Sequence, residues 1–391
     1  MRRICMDYQA GAPTDPRVLE AMMPYFTEAF GNPSSPHQFG QETKTAVDHA
    51  RSQVAELIGA KKAGDVIFTS GGTESNNLAI RGVAHRNREK GDHVITTKIE
   101  HMSVINTCKS LQKEGFKVTF IPVDKYGIID LERLKSEINE RTILVSVMYA
   151  NGEIGIIEPI REIGSICHDK KIYFHVDAVA AAGKIPIDVE RENINLLSIS
   201  SNDMYGPKGV GALYIREGTG IVPVVFGGGQ EKGLRSGSEN IPGIVGMGKA
   251  AEIAKNEIFS ESRRMVELRD RLINNIIRDI PHSYLNGHPT ERLPNNVNIR
   301  FSYIEGESLI LSLDMEGVAV SSGSACTSKT LEPSHVLLAI GLAHEEAHGS
   351  LLFSLGRQTS KEDVDYVSGI LPNIVKRLRA MSPLTPKEEL G

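Results

Sequence analysis

VIFTSGGTESNNLAIRG (Val66–Gly82) sets the architecture of this chain. Val66–Phe68 is a short β-rich apolar run, and a helical pattern opens near Ser75 and continues to Arg88. Between them, Gly71 and Gly72 let the backbone approach an anion closely, and Thr73 adds a hydroxyl at the helix start. Free N–H groups and the positive dipole end favour a phosphate there. Alone, the same turn also reads as an ordinary capped junction.

Outward from this unit, strand-like runs alternate with helical patterns. The runs are HVITT (93–97), VTFIPV (118–123), ILVSVM (143–148), KIYFHV (171–176), INLLSIS (194–200) and VGALYI (210–215). Helical patterns cover Ser103–Lys113 and Pro159–Lys170. This alternation predicts an α/β domain with a largely parallel sheet, covered on both faces because its strands are nearly all apolar. After about residue 257 a charged helical stretch leads into NVNIRF, a helix near Glu307–Asp314, VAVSS and a last helix over Lys361–Arg379. The expected division is a large domain over 15–257 and a smaller α+β domain built from 1–14 and 258–391. The tail PLTPKEELG is expected to fray.

A length of 391 residues accommodates two domains with sizeable cores. A net charge of −5 and a pI near 6.2 give no electrostatic reason to expect nucleic-acid binding. No apolar run approaches the roughly 18 to 20 residues that span a bilayer. MRRICMDYQAGAPTD has two arginines but no apolar segment after them, so it is not a secretory signal, and a cytoplasmic location is expected. Cys5, Cys108, Cys167 and Cys326 are far apart and form no C-x-x-C pair, against a zinc site or a disulfide framework. Cys108 and Cys167 lie in helical patterns and read as buried structural residues. Cys326 lies in SSGSACTSKTLEPSHVL, a glycine-rich polar stretch expected to form a mobile surface loop with a reactive thiol.

One further segment, SISSNDMYGPKG (Ser198–Gly209), resembles the S-x-S-x-H-K-x-Y-G-P-K-G motif of cysteine desulfurases, the NifS/IscS group of pyridoxal-phosphate enzymes. The resemblance extends in order through GNPSSPHQFGQ (31–41), TSGGTESNNLAIRG (69–82), IEH (99–101), ANGEIG (150–155), HVDA (175–178), GGGQEKGLRSGS (227–238), SSGSACTS (321–328) and FSLGRQT (353–359). It implies the type I fold of pyridoxal-phosphate-dependent transferases: a mainly parallel seven-stranded sheet in the large domain, with a smaller α+β domain. It departs from the family at one decisive place. Asn202 and Asp203 stand where the family has histidine and the lysine that holds pyridoxal phosphate as a Schiff base. Val179 and Ala180 replace the usual threonine and glutamine after HVDA.

The resemblance implies roles residue by residue. Gly72, Thr73 and Ser200 hold the cofactor phosphate, and Ser238 reaches it from the partner subunit of a homodimer. Asp177 pairs with the pyridine nitrogen and keeps the ring an electron sink; on its own it would also read as a helix N-cap. His101 stacks on the ring, and Asn151 bonds its hydroxyl, while Asp203 occupies the position that should supply the amine. Pyridoxal phosphate is therefore expected without a covalent link. Arg357 grips the carboxylate of L-cysteine with Asn32 nearby, and Leu352 stands where another arginine is common. Lys208 corresponds to the GPKG lysine, which the family carries in addition to the catalytic one. Cys326 is the sulfur-accepting nucleophile, and as a soft ligand it is also a candidate for a [2Fe–2S] cluster shared with an IscU-like scaffold protein. Two readings result: a desulfurase of reduced activity serving iron–sulfur assembly, and a non-catalytic partner that docks the scaffold.

Overall fold

The computed structural model describes residues 3–323 and 333–386; Cys326 lies outside them. Twelve strands occur among the described residues. They are β1 (Ile4–Cys5), β2 (Val66–Thr69), β3 (His93–Thr97), β4 (Lys117–Ile121), β5 (Thr142–Met148) and β6 (Tyr173–Asp177), then β7 (Leu196–Ser200), β8 (Gly211–Ile215), β9 (Ser283–Leu285), β10 (Asn296–Phe301), β11 (Val318–Ala319) and β12 (Ser350–Ser354). Seven of them form one sheet in the order β2-β8-β7-β6-β5-β3-β4. Pairing is parallel from β4 to β7, and only β8 runs against the rest.

Both faces of this sheet are covered, as its apolar strands require. One face packs Val145, Val147, Phe174, Val176 and Leu197 into a core closed by the helices Gln38–Leu57 and Ile160–Lys170 and the start of Ile241–Asp279. The other packs Val94, Leu144, Leu196 and Leu213 against the helices Gly72–Arg86 and Met102–Lys113. The sheet thus presents the carboxyl ends of β3, β5, β6 and β7 along one edge, where open α/β sheets place ligands.

Two junctions start differently from the sequence pattern. Lys171 takes a left-handed conformation (φ 57°) as the C-cap of Ile160–Lys170, so β6 begins at Tyr173 and ends on Asp177. His101 is the N-cap of Met102–Lys113, its ring accepting from the Ser103 N–H, which fixes the imidazole at the end of that helix.

The helix Ile241–Asp279 runs 39 residues through both parts of the molecule, so the expected boundary at 257/258 falls inside it. Its first half supplies Met247, Ala250 and Ala254 to the large core. Its second half supplies Met265, Leu268, Leu272 and Ile276 to a separate core with β10, β12 and the helix Lys361–Met381. Ile4 and Met6 join that second core, and β1 pairs with β11. Part of the tail is ordered, contrary to the expected fraying: Thr385 is buried and its hydroxyl donates to the Arg379 carbonyl at 2.7 Å.

Candidate active site

A cavity of about 330 Å³ opens at the carboxyl ends of these strands. Gly72, Thr73, His101, Asn151, Asp177, Ser200 and Asp203 all line it. Seven residues spread from position 72 to 203 therefore converge because their strands end side by side.

At one end is the start of Gly72–Arg86, whose N-cap Gly71 contributes no side-chain hydrogen bond. The first amides of this helix thus carry no side-chain cap, and Thr73 and Ser200 line the same cavity. Close packing makes the turn possible: a Cβ on Gly211 of the neighbouring β8 would fall 2.6 Å from Gly71 Cα. Uncapped amides, a positive dipole end and two hydroxyls form an anion cradle.

The opposite requirement, a cation partner, is met by Asp177. Its Oδ2 accepts from Asn76 Nδ2 at 2.7 Å and its Oδ1 from the Val179 N–H at 3.1 Å. Burial pushes this carboxyl up, while His101 opposes the rise. Asn76 also donates to Ser103 Oγ (2.9 Å), which lies 2.7 Å from His101 Nδ1. The Ser103 N–H donates to the same Nδ1. Asn76 and Ser103 were not singled out in the sequence. The available signal was spacing: Asn76 lies three residues past Thr73, and Ser103 two past His101.

Asp203 lies on the cavity floor in the short turn Asn202–Met204, directly after β7, and is buried. Lys184, another residue the sequence reading passed over, places its Nζ 4.0 Å from Asp203 Oδ1 and 3.0 Å from the Ala180 carbonyl. Val179 and Ala180 line the cavity beside Asp203, so that wall is apolar. Burial raises the Asp203 carboxyl, and Lys184 is the first of the groups that bring it back down.

Several expected residues are not brought to the cavity. Arg357 does not line it; its guanidinium holds Asp15 Oδ2 at 2.7 Å and Glu257 Oε2 at 3.0 Å and lies over the Tyr205 ring. In this structure two acids and an aromatic face engage the guanidinium, away from the cavity. Leu352 lines the cavity instead. Asn32 is exposed and its side chain accepts from the Ser34 N–H, and Ser238 is exposed outside the cavity. Asn151 is in the lining, with its Nδ2 donating to the Ile99 carbonyl and its Oδ1 accepting from the Glu153 and Ile154 amides. Its amide thus holds a turn.

Glu153 is a further acid in the wall, with Oε1 buried and unpartnered. Burial pushes it up to about 7, with a Ser334 hydrogen bond opposing the rise. Between its ordinary value of 4.5 and about 7, the folded chain holds a proton that the unfolded chain has released. Stability from this group therefore falls as pH rises through that window. Glu153→Gln is expected to flatten the decline in Tm from pH 4.5 to 7; identical profiles for the two proteins would count against it.

The Aminotransferase class-V family profile matches residues 4–367, and the chain belongs to that family. Within the family it falls in the cysteine desulfurase IscS/NifS group. Cysteine desulfurase IscS 1 of Archaeoglobus fulgidus is 59% identical over 378 residues, which cover 97% of this chain and 98% of that protein. A solved NifS-like protein superposes with a TM-score of 0.91 at 37% identity, over 96% of this chain and 100% of its own. The structure of SspA in complex with cysteine superposes with a TM-score of 0.80 at 36% identity, covering 90% and 99% of the two chains.

This family implies pyridoxal phosphate, and the residues present fit it. The uncapped helix start with Thr73 and Ser200 suits the phosphate, and the Asp177 carboxylate suits a protonated pyridine nitrogen. When bound, the group supplies an electron sink for a carbon attached to it. No lysine is among the described residues that line the cavity.

Proposed function

We propose that the protein is a cysteine desulfurase homologue that moves sulfur from L-cysteine, through a persulfide on Cys326, to an iron–sulfur scaffold of the IscU type, at a turnover reduced by Asp203. The observation that carries this reading is the convergence of the anion cradle, Asp177 and His101 on one cavity. Asp177 keeps the ring nitrogen protonated, His101 forms a wall of the seat, and the cradle fixes the phosphate end. Asp203 cannot attach to the cofactor, because it has no amine and is too short to reach.

Cys326 is the nucleophile in this reading. It would attack the substrate sulfur as a thiolate and leave with it as a persulfide, alanine being released. Burial pushes Cys108 and Cys167 up to about 12, which leaves them as thiols at neutral pH. Cys326→Ser is expected to abolish sulfur transfer to the scaffold, whereas Cys108→Ser retains it. Equal transfer by the two variants would remove the assignment.

A non-catalytic reading is favoured by two observations: no lysine among the described cavity residues, and Arg357 engaged by Asp15 and Glu257. In it, the chain docks the scaffold and Cys326 carries sulfur or ligates a shared [2Fe–2S] cluster as a soft thiolate. Steady release of alanine from cysteine by purified protein supports the first reading; cluster retention on the complex without alanine release supports the second. The proposal includes a cytoplasmic setting, and no helix among the described residues is long and apolar enough to cross a membrane.

The active unit in this proposal is a homodimer, with Ser238 completing the partner's phosphate site. Its exposure outside its own cavity supports that arrangement. Sedimentation at micromolar protein should give a dimer; a monomer that retains the cofactor would defeat the idea.

A further inference from the structure

We propose that Lys184 is a positioning residue that fixes the Asp203 carboxylate on the cavity floor, and that Asp203 is the group that accepts the α-proton of an amino acid bound there. The inference deepens the reading above and rests on it. Its basis is an arrangement in space. Asp203 lines the cavity, while Lys184 lies behind it, outside the lining, with its ammonium on the Oδ1 side. The side chains are 15% (Lys184) and 7% (Asp203) exposed, so neither charge is balanced by bulk water. Lys184 is tied to the Ala180 carbonyl at 3.0 Å, which keeps its amine directed to this place.

Four groups bear on the Asp203 carboxyl. Lys184 comes from the turn after β6, Asp177 from the end of β6, Ser200 from the end of β7 and His101 from the cap of Met102–Lys113. Asp177 and burial favour the protonated acid; Lys184, Ser200 and His101 favour the carboxylate. Of these three, Lys184 has the largest effect, so its removal returns Asp203 toward the neutral form. The converse holds for Lys184, which burial pushes down and Asp203 pulls back up.

The step balances without an oxidant or reductant. The Cα–H bond of the bound amino acid breaks, an O–H bond forms on Asp203, and the electron pair remains with the ligand; pyridoxal phosphate, its ring nitrogen held by Asp177, would supply the sink for that pair. Return of the proton reverses it. The same transfer performed in deuterium oxide exchanges the α-proton of L-alanine, a ligand with no sulfur to lose, so proton transfer is read apart from sulfur chemistry.

The experiment has two arms. In the purified protein, the Asp203 carboxyl is titrated by carbon NMR with labelled aspartate, assigned by its loss in Asp203→Asn. Lys184→Met should raise its midpoint by at least about one pH unit, a tenfold change in proton affinity, and Lys184→Arg should keep the original midpoint. An unchanged midpoint in Lys184→Met overturns the role of Lys184. In the second arm, with pyridoxal phosphate added, exchange at the α-carbon of L-alanine is followed against pH. Asp203→Asn should lower it by about 100-fold or more, and Lys184→Met should move its acid limb to higher pH by the shift seen in the first arm. Exchange by Asp203→Asn at the original rate assigns the proton to another group and overturns the proposal. Absence of exchange from the unmodified chain, with exchange restored in Asp203→Lys, overturns the role of Asp203 alone. Absence from both overturns the desulfurase reading with it.

Discussion

Asp203→Lys is expected to attach the cofactor covalently and to raise alanine release from cysteine, the gain coming from the covalent link, since position 203 already carries a proton acceptor. The unmodified chain and Asp203→Asn should show no covalent cofactor. The new side chain would start from the cavity floor, where Asp203 now sits, and its longer stem would reach into the space lined by Thr73, His101 and Asp177. Lys184 makes the introduced amine a better nucleophile. A second ammonium close to it loses the carboxylate at 4.0 Å and gains a like charge, which depresses both amines and frees the neutral form. The same exchange leaves Lys184 without its buried partner, so some loss of thermal stability should accompany the gain in activity. Mass spectrometry after borohydride treatment without substrate decides the matter. A lysine-linked cofactor in the unmodified chain, or none in Asp203→Lys, would contradict the expectation.

The second large effect is expected at Leu352. Placed in the Asp203→Lys background, Leu352→Arg should lower KM for L-cysteine by about 10- to 100-fold, with a smaller change in kcat, as a charge-assisted fork to a carboxylate would. Leu352 lies on β12 opposite Asn298 of β10, and its backbone pairs with Ser321, so its direction into the cavity is fixed by two ladders. Arg357 cannot easily supply this grip while it holds Asp15 and Glu257. Arg17 first, and Arg357 after it, keep the Asp15 carboxyl down at about 2. Arg357→Ala is accordingly expected to leave KM unchanged and to lower Tm. A KM that rises in Arg357→Ala and is unmoved in Leu352→Arg would return the anchor to Arg357. Burying a guanidinium at position 352 carries a stability cost, which the same melting curves report.

The strand–turn–helix at Val66–Gly82, the alternation that follows it and the ordered motifs were legible in the sequence because each depends on neighbours within a few residues. Apolar period, a glycine pair and a strand end are local properties, and they gave the strands and helices of this domain with boundaries off by up to three residues; that Gly72, Thr73, Asp177 and Ser200 share a site was implied by the family resemblance, and all four line one cavity. Asp203 as the departure from the family was equally plain, since it needs only a residue read at its place. What Asp203 faces was not legible. Lys184 meets it through the crossing of two turns at the ends of β6 and β7, and no spacing along the chain encodes a 4.0 Å approach. Where Arg357 points was not legible for the same reason. Its motif is local, but its partner Asp15 lies 342 residues away, and packing of the chain's beginning against its end decides where the guanidinium points. The sequence by itself determined the fold, and its family resemblance pointed to the cofactor residues and to Asp203 at the amine's position. Only the tertiary structure decided which charges meet, because ion pairs and cavity walls are set by contacts between elements remote in the chain.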